Sequence, residues 1–177
     1  MTLYSTILFL HILGMLGLVT ALGIEWVLLR YTARAESHEE ARACLRPTMV
    51  LPPLAIVSMA LVLFSGIYLA RDLRAWEQAW VRVSFFALLF IAVLGIFAGT
   101  RMRALRRATS EIRELVNDPR LQTPIRIRFS VLLGIVFLMV SHANLALSLS
   151  VMGAALAVGL AWSAPAWKTK DPAPGRA

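Results

Sequence analysis

Long apolar blocks alternate with short charged ones along the whole chain. The first runs from Leu3 to Leu29, the second from Met49 to Ala70 and the third from Val81 to Thr100. Each is long enough to cross the ~30 Å hydrocarbon core of a bilayer as a helix, which takes ~20 residues. The last block is different. It begins near Ile125 and continues to about Trp162, which would make one helix of roughly 57 Å at 1.5 Å per residue. Near its middle lies the polar group Ser141-His142-Ala143-Asn144 within "FLMVSHANLALSLS". Ser, His and Asn can satisfy the backbone groups that a turn frees at the headgroup level. The pattern therefore predicts two helices there, at about 125–141 and 144–163, and five spans in all.

Charge placement gives an independent count. The segments 30–48, 71–82 and 101–128 carry four, three and eight basic residues, and the tail after residue 164 carries three. With five spans and the N-terminus outside, fifteen basic residues lie on the cytoplasmic side and three outside. Four spans would give twelve and six, so the excess of positive charge inside prefers five. Trp76 and Trp80 mark one interface; Trp26, Tyr31, Trp162 and Trp167 mark the other. The expected fold is an all-α, polytopic membrane bundle of five transmembrane helices, with residues 1–164 as its membrane domain and 165–177 as a disordered cytoplasmic tail. The C-terminus is inside. The first apolar stretch is too long, and too free of early charge, for a cleaved leader, and reads as a retained span.

Composition agrees. Of 177 residues 59% are hydrophobic and mean hydropathy is +0.72, well above the roughly 45–50% of soluble domains. The net charge of +8 sits beside the apolar blocks, where topology and anionic headgroups account for it, so nucleic acid is not an expected partner. The expected partner is the lipid bilayer, together with a second copy or another membrane protein. Sixteen of the eighteen basic residues are Arg, a composition of GC-rich bacterial genomes, so the expected location is a bacterial inner membrane. The single Cys44 can form no internal disulfide.

Between the spans, Ser37-x-x-Glu40 is a capping-box pattern and predicts a short helix before Pro47. Pro52 and Pro53 are expected to bend the start of the second span. Met102, Leu105, Ile112 and Leu115 share a face of a helix prolonging the third span as far as Asn117-Asp118-Pro119. That face predicts a lipid-hugging end or a docking surface. Small-residue pairs (Gly17 with Ala21, Gly95 with Gly99, Gly153 with Ala157, Ala155 with Gly159) permit close helix approach.

Ionisable groups inside a span cost about 2.5–3.5 kcal/mol at its centre, so each asks for a reason. Two stand out, His11 and Glu25. They are 14 positions apart, about 40° short of full turns at 100° per residue, and share a stripe with Gly14, Leu18, Ala21 and Leu22. That face is expected to point into the bundle. Glu25 lies within reach of Arg30, Arg101, Arg126 or Arg128, either as a packing ion pair or as a proton-relay or substrate-binding carboxylate. His11 lies ~12 Å below the outer end, and His142 lies on that same side. Two neutral imidazoles from facing helices make a low-spin haem site, so His11 and His142 are candidate iron ligands for haem b. The alternative gives His11 a Ser or Thr partner on a neighbouring helix and His142 a helix-capping role. His38 falls in a loop and carries no role.

The stretch "FLHILGMLGLVTALGIEWVLLR" resembles the first span of several small bacterial membrane families. These are the predicted integral membrane proteins around the copper-resistance CopD group and, more remotely, the HemJ-type protoporphyrinogen oxidases. In the latter an early His matters for haem binding, and the resemblance implies that part for His11. The late motif departs: "LMVSHAN" has His142 near the expected Lys and no following Pro. That departure counts against oxidase activity and leaves a second histidine able to ligate iron. Three functions follow as expectations: a b-type haem-binding redox protein, a non-catalytic accessory or assembly component, and a small transporter or metal-handling protein with Glu25 and His11 on its path. No Met-x-x-Met or Cys cluster favours the metal-handling variant.

Overall fold

A computed structural model describes residues 3–107 and 112–168. The described chain is helical throughout: α1 (Leu3–Arg34), α2 (His38–Leu45), α3 (Leu51–Asp72), α4 (Ala79–Arg107), α5 (Ile112–Val116), α6 (Pro119–Ser141) and α7 (Leu145–Lys168). Five of these, α1, α3, α4, α6 and α7, are long and apolar enough to cross a membrane. Large apolar side chains such as Phe64 (70% exposed) and Val140 (76% exposed) cover their outer faces. Those outer faces are mostly apolar, as a helix that crosses a membrane requires.

The helix α6 is the centre of the bundle. Of its apolar 18-residue stretch 56% is buried, against 22% for each of the other four. It packs on α4, α7 and α1, while the main partner of α1 is α3. The consecutive helices α3 and α4 pack only loosely on each other, a gap that matters below. One apolar core, built on Leu18, Leu22, Val62, Ile91, Leu132 and Ile135, fills the middle of the bundle. A second, built on Leu29, Leu45, Met102, Leu105, Val116 and Ile125, closes the end that carries α2 and α5. Most of the basic residues lie at that end, called here the basic end.

The polar interruption after Val140 is the expected hairpin. His142 ends α6 in the left-handed region (φ 49, ψ 43) and donates its N–H to the Leu138 carbonyl at 3.1 Å. Asn144 then opens α7, its Oδ1 accepting the Leu147 N–H at 2.9 Å. These are the usual closures of a helix end and a helix start. The capping box at Ser37 also forms: its Oγ accepts the Glu40 N–H at 3.1 Å. Glu40 in turn reaches back to the N–H of Glu36 at 2.9 Å.

Three details differ from expectation. Pro52 and Pro53 start α3 rather than bend it, following a 3-10 turn at Arg46–Met49. First-turn N–H groups have no helical acceptor, so proline loses nothing there. The Met102, Leu105 and Ile112 face meets neither lipid nor a partner, because all three are buried in the second core with Ala41 and Leu45 of α2. Ala41 and Leu45 bring the amphipathic α2 into that core, with Leu115 half-buried beside it. The last helix runs to Lys168, past the expected end at 163, and the rest of the expected tail, 169–177, lies outside the described residues.

Only some of the small-residue positions are close contacts. A Cβ on Gly159 would sit 2.9 Å from the Ile127 Cα, whereas one on Gly153 would meet nothing within 4 Å. Gly159→Ala should therefore lower the thermal unfolding midpoint in detergent, since overpacking costs about 1–3 kcal/mol. Gly153→Ala should leave it unchanged or raise it slightly, because alanine is the better helix former by up to about 1 kcal/mol. Equal behaviour of the two variants would contradict this packing of α7 on α6.

Candidate functional site

Along α1, the buried positions Gly14, Leu18, Ala21 and Leu22 form one stripe, which is the stripe shared by His11 and Glu25. The two polar residues therefore do face neighbouring helices. They face different ones.

Glu25 meets Arg128 of α6. The guanidinium Nη1 donates to Glu25 Oε2 at 3.2 Å, with the side chains only 7% (Arg128) and 14% (Glu25) exposed. The other cations that could have served are otherwise engaged. Arg30 lies over the Trp26 ring, Arg101 faces Asp118 at 4.0 Å, and Arg126 donates to the Trp162 carbonyl and to Gln122. Alternation within "PIRIRF" explains the division: residues two apart on a helix point some 200° apart, so Arg126 turns outward when Arg128 turns inward.

Arg128 is seated against α4 at Gly95. A Cβ there would lie 3.3 Å from Nη2, 3.4 Å from Cζ and 3.6 Å from Nε. The glycine thus lets α4 close over the face of the guanidinium. Arg128 Nε is buried and has no hydrogen-bond partner. Leaving a buried donor unmade costs about 1–3 kcal/mol. Arg128 and Glu25 both line a cavity of about 480 Å³ that fills the gap between α3 and α4. It reaches from Thr48 and Arg103 at the basic end to Leu63 and Phe64 near mid-helix, and its remaining lining is nearly all apolar. Its size falls within the roughly 300–1,000 Å³ of small-molecule pockets, and so does its make-up of apolar walls with few polar groups.

His11 faces α3. Its Nδ1 is 3.0 Å from Ser65 Oγ, and its ring edge lies over Gly66. Ser65 donates its one proton to the Leu61 carbonyl, so the Ser65 oxygen accepts and His11 Nδ1 carries the hydrogen. Proton counting assigns this tautomer, in which Nε2 is the unprotonated nitrogen. His142 is at the hairpin, exposed, its ring edge-on to Trp80 of α4 at 5.0 Å between centroids. The two histidines share no hydrogen-bond or ring partner. No group of three or more His, Cys, Asp or Glu able to hold a metal ion occurs among the described residues. His38 is in α2.

Removing one member of a buried ion pair strands the other charge, at a cost of about 3–5 kcal/mol, whereas replacing both by apolar groups is often neutral. Arg128→Met alone should therefore lower the unfolding midpoint in detergent sharply, and Glu25→Leu/Arg128→Met should recover most of the loss. Additive losses in the double variant would mean that the two side chains do not act as a pair.

No family model, curated protein or solved structure matches the chain, so the site stands on its own geometry.

Proposed function

We propose that the chain is a multi-pass protein of a bacterial inner membrane, with its N-terminus outside and its basic end in the cytoplasm, that carries a small molecule through the Glu25–Arg128 cavity. The positive-inside bias of the loops supports the orientation. The observation that carries the functional reading is the Glu25–Arg128 pair, with the Arg128 Nε buried and unpartnered, in the wall of a cavity that reaches from the basic end to mid-bundle. A pair that only held helices together would be expected to have both ions fully bonded. This one leaves a donor over. A cavity that runs from the basic end past a charged pair to mid-bundle is a path that a carrier can use, and loose packing of α3 on α4 allows the cavity to change width.

His11 supports a second reading, haem binding. Its Nδ1–H is held by Ser65, the kind of contact that orients a metal-ligating imidazole. His11 would hold the iron, with His142 or another group as sixth ligand, and the haem would supply one-electron transfer.

The carrier reading is tested by thermal-shift screening of the full chain in detergent against small acids, amines and neutral amphiphiles. At least one class should stabilise the wild type and leave Ala55→Phe, which fills the cavity, unmoved. No stabilising compound, or equal shifts in both proteins, would overturn it. The haem reading expects a Soret band in protein purified from haem-replete cells, lost in His11→Ala; a colourless wild-type preparation would end it.

A further inference from the structure

The rim and the mouth of the cavity narrow its ligand. We propose that it takes an anionic phospholipid from the leaflet at the basic end, with one acyl chain lodged between α3 and α4 and the phosphate at Arg103. The inference rests on the reading that this cavity is a ligand site, and it names the class of ligand.

Three observations carry this. The first is a side opening. Ile56 and Phe64 of α3 and Ile96 of α4 line the cavity and are 69%, 70% and 72% exposed, so its rim lies on the outer face of the bundle, where acyl chains are the neighbours. The second is its length and make-up. From Leu51 to Phe64 the α3 wall rises ~20 Å, and a chain needs ~15 Å to reach the middle of a bilayer. The walls are mostly apolar and reward a buried chain. The third is charge. Arg103 lines the cavity at its basic end and is exposed. It lies ~4.5 Å along the helix beyond Thr100, where the apolar block stops, and so at headgroup level. It enters neither ion pair found among the described residues, whereas Arg101 faces Asp118. The first turn of α3, at Leu51 and Pro52, lines the same mouth and adds the positive end of a helix dipole.

What lies deeper keeps the head at the mouth. Glu25 and Arg128 line the cavity, but they are paired and together neutral. A phosphate drawn past Arg103 would lose its water and meet no uncompensated cation, which is costly. The chain can go where the head cannot. A small hydrated anion would gain only Arg103, and a lipid whose head carries no net charge would gain only the walls. An anionic lipid gains both. Gly99 helps to keep the groove open: it lines the cavity, and a Cβ there would meet nothing within 4 Å.

The experiment is native mass spectrometry of the full chain in detergent, titrated with phosphatidylglycerol or with phosphatidylcholine of the same acyl chains. Phosphatidylglycerol should bind about fivefold more tightly, the preference that one arginine gives near a membrane surface. Arg103→Gln should abolish that preference and leave phosphatidylcholine binding unchanged. Arg71→Gln, at the opposite end of α3, should leave the preference intact. Gly99→Leu puts a side chain into open space in the groove and should weaken both lipids at least tenfold, with the unfolding midpoint unchanged or raised. Glycerol phosphate, a head without a chain, should displace neither lipid. Equal affinity for the two lipids, a preference that survives Arg103→Gln or is lost in Arg71→Gln, binding insensitive to Gly99→Leu, or displacement by glycerol phosphate would each overturn the proposal. Should the lipids fail while a water-soluble compound stabilises the wild type and not Ala55→Phe, the cavity still serves a ligand and only the lipid assignment falls.

Discussion

Taking a glutamate and an arginine out of water costs several kcal/mol for each ion, and an apolar bundle recovers that cost only if the two charges meet in good geometry. Glu25 and Arg128 meet at 3.2 Å across the α1–α6 contact, and the arrangement of the bundle follows from that requirement. The first helix belongs mainly to a pair with α3, while α4, α6 and α7 form the other group. An ion pair between α1 and α6 ties the two groups at a fixed depth, because neither charge can slide along its helix without being stranded. Apolar packing alone gives little depth specificity between helices in lipid, where tails are as apolar as leucine.

The same requirement shapes the surroundings. Arg128 needs room for a planar guanidinium beside α4, and Gly95 provides it. Glu25 needs the inward face of α1, and the small and aliphatic residues Gly14, Leu18 and Ala21 let that face close on its neighbours. Around the pair, aromatic rings hold the basic end in register: Trp26 of α1 and Phe129 of α6 both lie against Trp162 of α7, at 5.3 and 6.4 Å between centroids. Beside the pair is a cavity whose walls are otherwise mostly apolar. The proposed carrier role thus uses the interaction that sets the depth of the helices.

Much of this was legible in the sequence. Apolar length and charge alternation located five helices, and the polar interruption at Ser141 to Asn144 located the hairpin, since helix ends carry local side-chain signatures. The shared face of His11 and Glu25 followed from helical period alone. Partner choice did not, because four arginines were within reach of Glu25, and only the rotation of α6 about its axis decides that Arg128 turns in and Arg126 turns out. The burial of Met102 and Leu105 in a core that also holds Ala41 and Leu45 of α2 was likewise hidden: a half-apolar helix face reads the same whether lipid, a partner or the chain's own loop buries it. Ser65 as the His11 partner depends on the depth at which α3 packs on α1, which the sequence pattern leaves open.

The account stands on Glu25 being ionised beside Arg128 in the unliganded protein, and isotope-edited infrared difference spectra of wild type against Glu25→Gln in lipid bilayers at neutral pH test that directly. A carboxylate stretch present in the wild type and absent from the variant is the predicted result. A protonated carbonyl band at that position in the unliganded wild type would contradict the ion pair and everything built on it.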